Sequence, residues 1–179
     1  MELLTLTWND IYFKSLELAE RVIRDGKVID VIVGISRGGL VLARIFSDIL
    51  DIKDLYIISA KYYKSIGERL EKPIIDIRLD IKNKNILLID DLADTGMTLN
   101  IICEELKKNN NVITLTLYKK SISIFEPDYY LEIEDRWIIF PWDICENIRE
   151  VIKKGGNPKD VSNDINLIER LVKIILLKK

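Results

Sequence analysis

Residues 86–99 read ILLIDDLADTGMTL: four apolar residues run into Asp90 and Asp91, and a short link leads to Asp94-Thr95-Gly96-Met97-Thr98. That second group offers two hydroxyls, a glycine that lets backbone approach closely, and amides at the start of a helix. Together these cradle an anion by geometry and by helix dipole. It is not a Walker loop, because no Gly-Lys-Ser/Thr follows at the required spacing. Two adjacent carboxylates do not bind phosphate, but they accept hydrogen bonds from sugar hydroxyls, directly or through a hard cation. The ligand implied has vicinal hydroxyls beside a phosphate, as a ribose 5-phosphate has.

Other chemistries are closed off by composition. The chain has no histidine, and Cys103 and Cys145 are its two cysteines. That rules out a histidine-containing triad, a Cys–His pair and a histidine metal site. Cys103 shares a helical stripe with Leu99, Ile102 and Leu106, the pattern of a buried small hydrophobe. Acid–base work then falls to Asp, Glu, Lys or Tyr, and any metal should be a hard cation held by oxygen. A net charge of −2 gives no bulk attraction to nucleic acid or anionic membrane. No apolar run approaches the roughly 20 residues of a membrane span, and the N-terminus lacks a signal-peptide pattern. The expectation is a cytoplasmic protein with small-molecule substrates, without nucleic-acid or membrane partners.

The elements that must position these residues follow from periodicity. Asn9 or Asp10 is placed to cap a helix running to about Arg24, with Tyr12, Leu16, Ala19 and Ile23 on one face. VIDVIVGI (28–35) reads as a strand and SRGG (36–39) as a tight loop. Leu42, Ile45, Phe46, Ile49 and Leu50 recur behind it at helical spacing. LYIISA (55–60) and NILLID (85–90) are further strands. The latter is apolar throughout, as when helices cover both faces of a parallel sheet. A helix from about Met97 to Lys108 and the strand VITLTLY (112–118) come next. This alternation argues for an α/β fold, an open, mainly parallel twisted sheet with helices on both faces. Ligands of such sheets sit beyond the carboxyl ends of the strands. SRGG, DDLADTGMT and Lys119-Lys120 all fall there. PDYYLEIEDRWIIFPWD (127–143) is strand-like and aromatic. Two helices separated by GGNP end the chain, the last with Ile168, Leu171, Val172 and Ile175 as its stripe.

With these residues in view, ILLIDDLADTGMTL resembles the phosphoribosyl-pyrophosphate (PRPP) signature of the type I phosphoribosyltransferases. The resemblance implies that Asp90 and Asp91 hold the ribose hydroxyls and Asp94–Thr98 wraps the 5-phosphate. Asp94 is implied as general base on a purine N7 proton. VIVGISRGGLVLARIF (31–46) is similar to the pyrophosphate loop of the xanthine–guanine and hypoxanthine–guanine enzymes. It implies Ser36, Arg37, Gly38 and Gly39 around the diphosphate, and a Ser36–Arg37 peptide that is cis in that family. Lys119 matches the lysine that donates to the purine O6, with Lys120 a rival. EIEDRWIIFPWD resembles the 6-oxopurine enzymes. It implies Trp137 stacking on the base, the Ile138 carbonyl at the 2-position, and Asp143 near the 2-substituent or a second metal. Packing is the expected use of Trp142. Mg²⁺ is the cofactor so implied, with Asp90, Asp91 and Asp143 as its candidate ligands.

The resemblance spans roughly residues 5–145. It implies one phosphoribosyltransferase domain over 1–145: a core of about 25–120, and a small hood over the sheet edge from N-terminal residues and about 121–145. Residues 146–179 form a helical extension packed on the domain or in an oligomer interface; the family tends to dimers or tetramers. AKYYKSIGERLEK (60–72), with Lys61, Tyr62 and Arg69, stands where the family has a mobile lid. The activity implied is purine salvage, transfer of phosphoribosyl from PRPP to a 6-oxopurine. A PRPP- or nucleotide-sensing regulator on the same fold is the alternative reading, and an adenine or uracil enzyme a lesser one.

Overall fold

The computed structural model describes residues 2–61, 74–76, 79–162 and 164–177. Of the expected lid residues, Tyr62 and Arg69 lie outside that range. The chain divides into two compact units, Tyr12–Asp135 and a second made of Met1–Ile11 with Arg136–Lys179.

The larger unit is built on a five-stranded sheet. Strands β2 (Val31–Ser36), β3 (Leu55–Lys61), β5 (Asn85–Ile89) and β7 (Asn111–Leu115) are joined by β4 (Ile74–Asp76) in the order β4-β3-β2-β5-β7. All pairings are parallel except β3 with the edge strand β4. Register puts Gly34 opposite Ile89 and Val31 opposite Ile86, so β2 runs on to Ser36 beyond the last residue of β5. Val31, Val33, Ile35, Ile86 and Leu88 face one side and pack with Leu99, Ile102, Cys103 and Leu106 of helix α3 (Met97–Lys107). Gly34 faces the other side, against Ala43 of helix α2 (Gly38–Ile49). Helices thus cover both faces, which is why the central strands are apolar throughout. Each fully buried aliphatic side chain there contributes about 2 kcal/mol of transfer free energy.

Helix α1 (Trp8–Arg24) starts earlier than its expected caps. Thr7 is the cap: its hydroxyl accepts from Asp10 N at 3.2 Å, and Asp10 accepts from Thr7 N at 2.8 Å. This reciprocal pair satisfies two helix-end amides. The buried face is also turned by one residue from the expected one. Ile11, Leu18, Ala19 and Val22 are buried, whereas Tyr12 and Ile23 are exposed. The expected strand 112–118 is two. After Leu115 the amides of Thr116 and Leu117 turn to Tyr129 O and Asp91 O. Strand β8 (Tyr118–Lys119) then joins β6 (Leu92–Ala93) and β9 (Glu132–Ile133) in a separate three-stranded sheet.

In the second unit, β1 (Leu3–Thr5) pairs in parallel with β10 (Trp137–Ile139). Ile139 packs with Ile144 and Ile148 of α4 (Ile144–Lys153) and Ile168 and Ile175 of α5 (Ile165–Leu176). Asp164 caps α5 by accepting from Leu167 N at 2.9 Å. Among the described residues no helix is long and apolar enough to cross a membrane.

Candidate active site

At the carboxyl end of the main sheet, β2 stops at Ser36, the Ser36–Arg37 peptide is cis, and α2 begins at Gly38. Beside it, β5 delivers Asp90 and Asp91. The two loops touch. A Cβ on Gly38 would lie 1.8 Å from Asp91 Oδ2, and one on Gly39 would lie 2.3 Å from Ile89 O. A side chain at either position would push the loop away from the acids, which accounts for the glycine pair. Arg37 is exposed at the turn between them.

The acid pair is fastened from behind. Asp90 N donates to Leu115 O at 3.1 Å, and Leu117 N donates to Asp91 O at 3.1 Å. Asp90 Oδ1 accepts from Asp91 N at 3.0 Å, and the Gly39 amide also donates to this carboxylate. Burial, and after it the charge of Asp91, pushes the Asp90 carboxyl well above the usual carboxylate range. A cation or a set of hydroxyl donors would relieve that arrangement.

Two residues on, β6 leads into the Asp94–Thr98 loop. Asp94 and Thr95 are exposed, while Gly96 is buried at φ 81°. A Cβ at Gly96 would also stand 2.6 Å from Ser123 Oγ and 2.7 Å from Phe125 Cβ, so the loop is pressed against the 121–126 segment. Ile124 N donates to Thr95 O at 3.0 Å and completes that brace. The hydrogen-bond ladder of α3 opens with Asn100 N on Gly96 O. The amides of Met97 to Leu99 precede that first bond, which places the helix's positive end at the loop.

Lys119 enters through β8, paired opposite Ala93, the residue before Asp94. Its side chain is 13% exposed and its ammonium pairs with the Glu126 carboxylate, 5.8 Å from the Tyr130 ring centroid. The Tyr130 hydroxyl donates to the same carboxylate. The hydrogen bond to Glu126 holds the Lys119 ammonium above the ordinary lysine range. Lys120 is half-buried, and its amide donates to Ala93 O at 2.9 Å. Within this unit the structure therefore brings together Ser36–Gly39, Asp90, Asp91, Asp94–Thr98 and Lys119. Sequence reasoning missed Glu126, because no periodic or spacing signal marks a loop acid seven residues after a lysine.

Trp137, Ile138 and Asp143 belong to the second unit. Trp137 is 51% exposed, and its indole N–H donates to Asn147 Oδ1 at 3.0 Å. Asn147 Nδ2 in turn donates to Asp143 O at 3.0 Å, so one asparagine links two of the expected base-site residues. Ile138 is buried in β10 opposite Leu4. Asp143 is half-buried at the start of α4. Trp142 stacks on Phe140, ring centroids 5.0 Å apart and planes 6° from parallel, in the packing role expected of it. Lys61 ends β3.

Among the described residues, no group of three or more acids or cysteines forms a self-sufficient metal site. Asp90 and Asp91 have the donor chemistry for a hard cation that takes its remaining oxygens from a substrate.

The phosphoribosyl transferase domain family matches residues 6–149 of this chain. A xanthine-guanine phosphoribosyltransferase of Ruegeria is 34% identical, with 78% of this chain and 85% of that protein covered. The solved purine phosphoribosyltransferase of Pyrococcus horikoshii superimposes with TM-score 0.69 at 39% identity, over 79% of this chain and 94% of that one. A Neisseria gonorrhoeae hypothetical protein with bound ppGpp gives TM-score 0.68 at 24% identity and covers 97% of both chains. That likeness concerns fold alone, and its extent takes in the C-terminal helices for which the sequence offered no counterpart.

Proposed function

Because the chain belongs to the phosphoribosyltransferase family, we propose that it transfers the 5-phosphoribosyl group of PRPP to N9 of a 6-oxopurine. The products are a nucleoside monophosphate and pyrophosphate. Relatives named xanthine-guanine and purine phosphoribosyltransferase support the acceptor class. The observation that carries the reading is the meeting of three loops at one sheet edge: a glycine–arginine turn, an acid pair and a hydroxyl-rich helix start.

In this reading Asp90 and Asp91 take the ribose hydroxyls, and the Asp94–Thr98 loop takes the 5-phosphate at the start of α3. The Gly38 and Gly39 backbone and the Arg37 fork receive the diphosphate. The bond from C1 to the diphosphate oxygen breaks with oxocarbenium character, its electron pair leaving with pyrophosphate. The C1–N9 bond forms, and Asp94 accepts the proton from purine N7. Asp90 and Asp91 would hold Mg²⁺, which would supply positive charge toward the departing diphosphate. At the base, Lys119 donates to O6, an arrangement that suits an oxo group and not the amino group of adenine. Trp137 stacks on the ring, the Ile138 carbonyl meets the 2-position, and Asp143 lies near the 2-substituent or a second metal.

The same reading assigns residues 1–145 to the catalytic domain and 146–179 to an extension. It takes a homodimer or homotetramer as the assembly, which the exposed Ile165, Ile174, Leu176 and Leu177 around α5 support. The test is Asp94→Asn. Turnover should fall by about 10²–10⁴ while nucleotide binding persists, the range for loss of a general base. Near-normal turnover would remove Asp94 from this role.

A further inference from the structure

The best-defined feature that the proposed mechanism leaves unused is the carboxylate beside the base-reading lysine. Lys119 reaches the site with a nearly buried stem, 13% exposed, while the Glu126 side chain it pairs with is 63% exposed. A lysine ammonium on four carbons is mobile unless something holds it. Here two contacts do so: the ion pair with Glu126 and the face of the Tyr130 ring. Tyr130 also donates its hydroxyl to Glu126, so the carboxylate is itself held in place.

The segment carrying Glu126 is not a free loop. Ile124 N is bonded to Thr95 O, and Ser123 and Phe125 fill the space beside Gly96. Lys119 sits opposite Ala93 in the β6–β8 pairing. The clamp on the lysine and the phosphate loop are therefore braced on each other at both ends.

We propose that Glu126, seated by Tyr130, is a positioning residue that aims the Lys119 ammonium for recognition of the purine O6. It acts through Lys119 and does not touch the base. An ammonium has three N–H donors, so one is spent on Glu126 and others remain for the substrate oxygen. This inference rests on the reading of Lys119 as the O6 donor. It predicts that Glu126 governs affinity for the base and not for PRPP.

Steady-state kinetics with hypoxanthine and PRPP on five full-length forms tests it: wild type, Glu126→Ala, Glu126→Asp, Lys119→Met and the Lys119→Met/Glu126→Ala double variant. Loss of a charged hydrogen bond predicts a hypoxanthine KM raised about thirtyfold in Lys119→Met. An exposed carboxylate acting through the lysine predicts about fivefold in Glu126→Ala, with the PRPP KM changed by less than about twofold. Glu126→Asp should restore part of the lost affinity. In the Lys119→Met background, Glu126→Ala should have no further effect, because its only route to the base is gone. An unchanged or lowered hypoxanthine KM in Glu126→Ala overturns the inference; a lowered value would show the carboxylate competing with the base for the ammonium. Equal rises in both KM values would also overturn it, as the mark of a merely structural residue. If Lys119→Met leaves the hypoxanthine KM unchanged, it is the O6-donor reading that fails.

Discussion

Gly38 and Asp91 are packed so closely that a Cβ on the glycine would lie 1.8 Å from the aspartate's Oδ2. The turn that is to hold the diphosphate and the acid that is to hold the ribose therefore share one contact. Gly38→Ala must displace Asp91 or swing the turn outward, a rearrangement of about 1–3 kcal/mol. PRPP affinity measured calorimetrically should drop about tenfold, the equivalent of roughly 1.4 kcal/mol. Nucleotide affinity should drop with it, since Asp91 is proposed to serve the ribose in both ligands.

How much of this was legible beforehand varies by element. The central strands and α3 announce themselves, because a sheet covered on both faces demands continuous apolar runs. Leu99, Ile102, Cys103 and Leu106 are all buried as their spacing implied. Helix α1 carries two rival apolar sets one residue apart. Of the set Tyr12, Leu16, Ala19 and Ile23, Tyr12 and Ile23 stay exposed and Ala19 is buried, beside Ile11, Leu18 and Val22. Periodicity alone does not choose between them; tertiary packing does. The break after Leu115 was likewise invisible, because it is made by Asp91 O and Tyr129 O, groups distant in sequence or already inside the site. Motif residues were legible because their chemistry needs fixed spacing. Their supports, Glu126 and Asn147, were not, because a positioning contact obeys no spacing rule.

Asn147 offers a second test of the base site. It accepts from the Trp137 indole at 3.0 Å while donating to Asp143 O at 3.0 Å. Asn147→Ala frees the indole to rotate, and an ordinary hydrogen bond of about 1 kcal/mol predicts a base KM raised about fivefold. The PRPP KM should stay near the wild-type value. Trp137 fluorescence should lose part of its quenching by added nucleotide.

Tyr129 donates its hydroxyl to Asp25 Oδ2 at 2.6 Å, tying the residue just after α1 to the segment beyond β8. Burial first, and the bond to Asp25 second, push the phenol up from 10 to about 12. The fold thus favours the neutral phenol. Its contribution is fully present below pH 10 and is lost as pH rises through about 12. Tyr129→Phe should cost about 1 kcal/mol in urea unfolding at neutral pH, the worth of one hydrogen bond. The gap between wild type and variant should stay constant up to about pH 9 and narrow above pH 10, where the unfolded phenol ionises.

The most direct measurement is pyrophosphate release from PRPP and Mg²⁺, with guanine, hypoxanthine, xanthine, adenine and uracil offered in parallel. Rapid release with one or more of the three 6-oxopurines, and not with adenine or uracil, is the predicted result. Silence with all five while PRPP or nucleotide still binds would contradict the account and leave a ligand-sensing protein on the same fold. Release with adenine or uracil alone would keep the transfer chemistry and overturn the role given to Lys119.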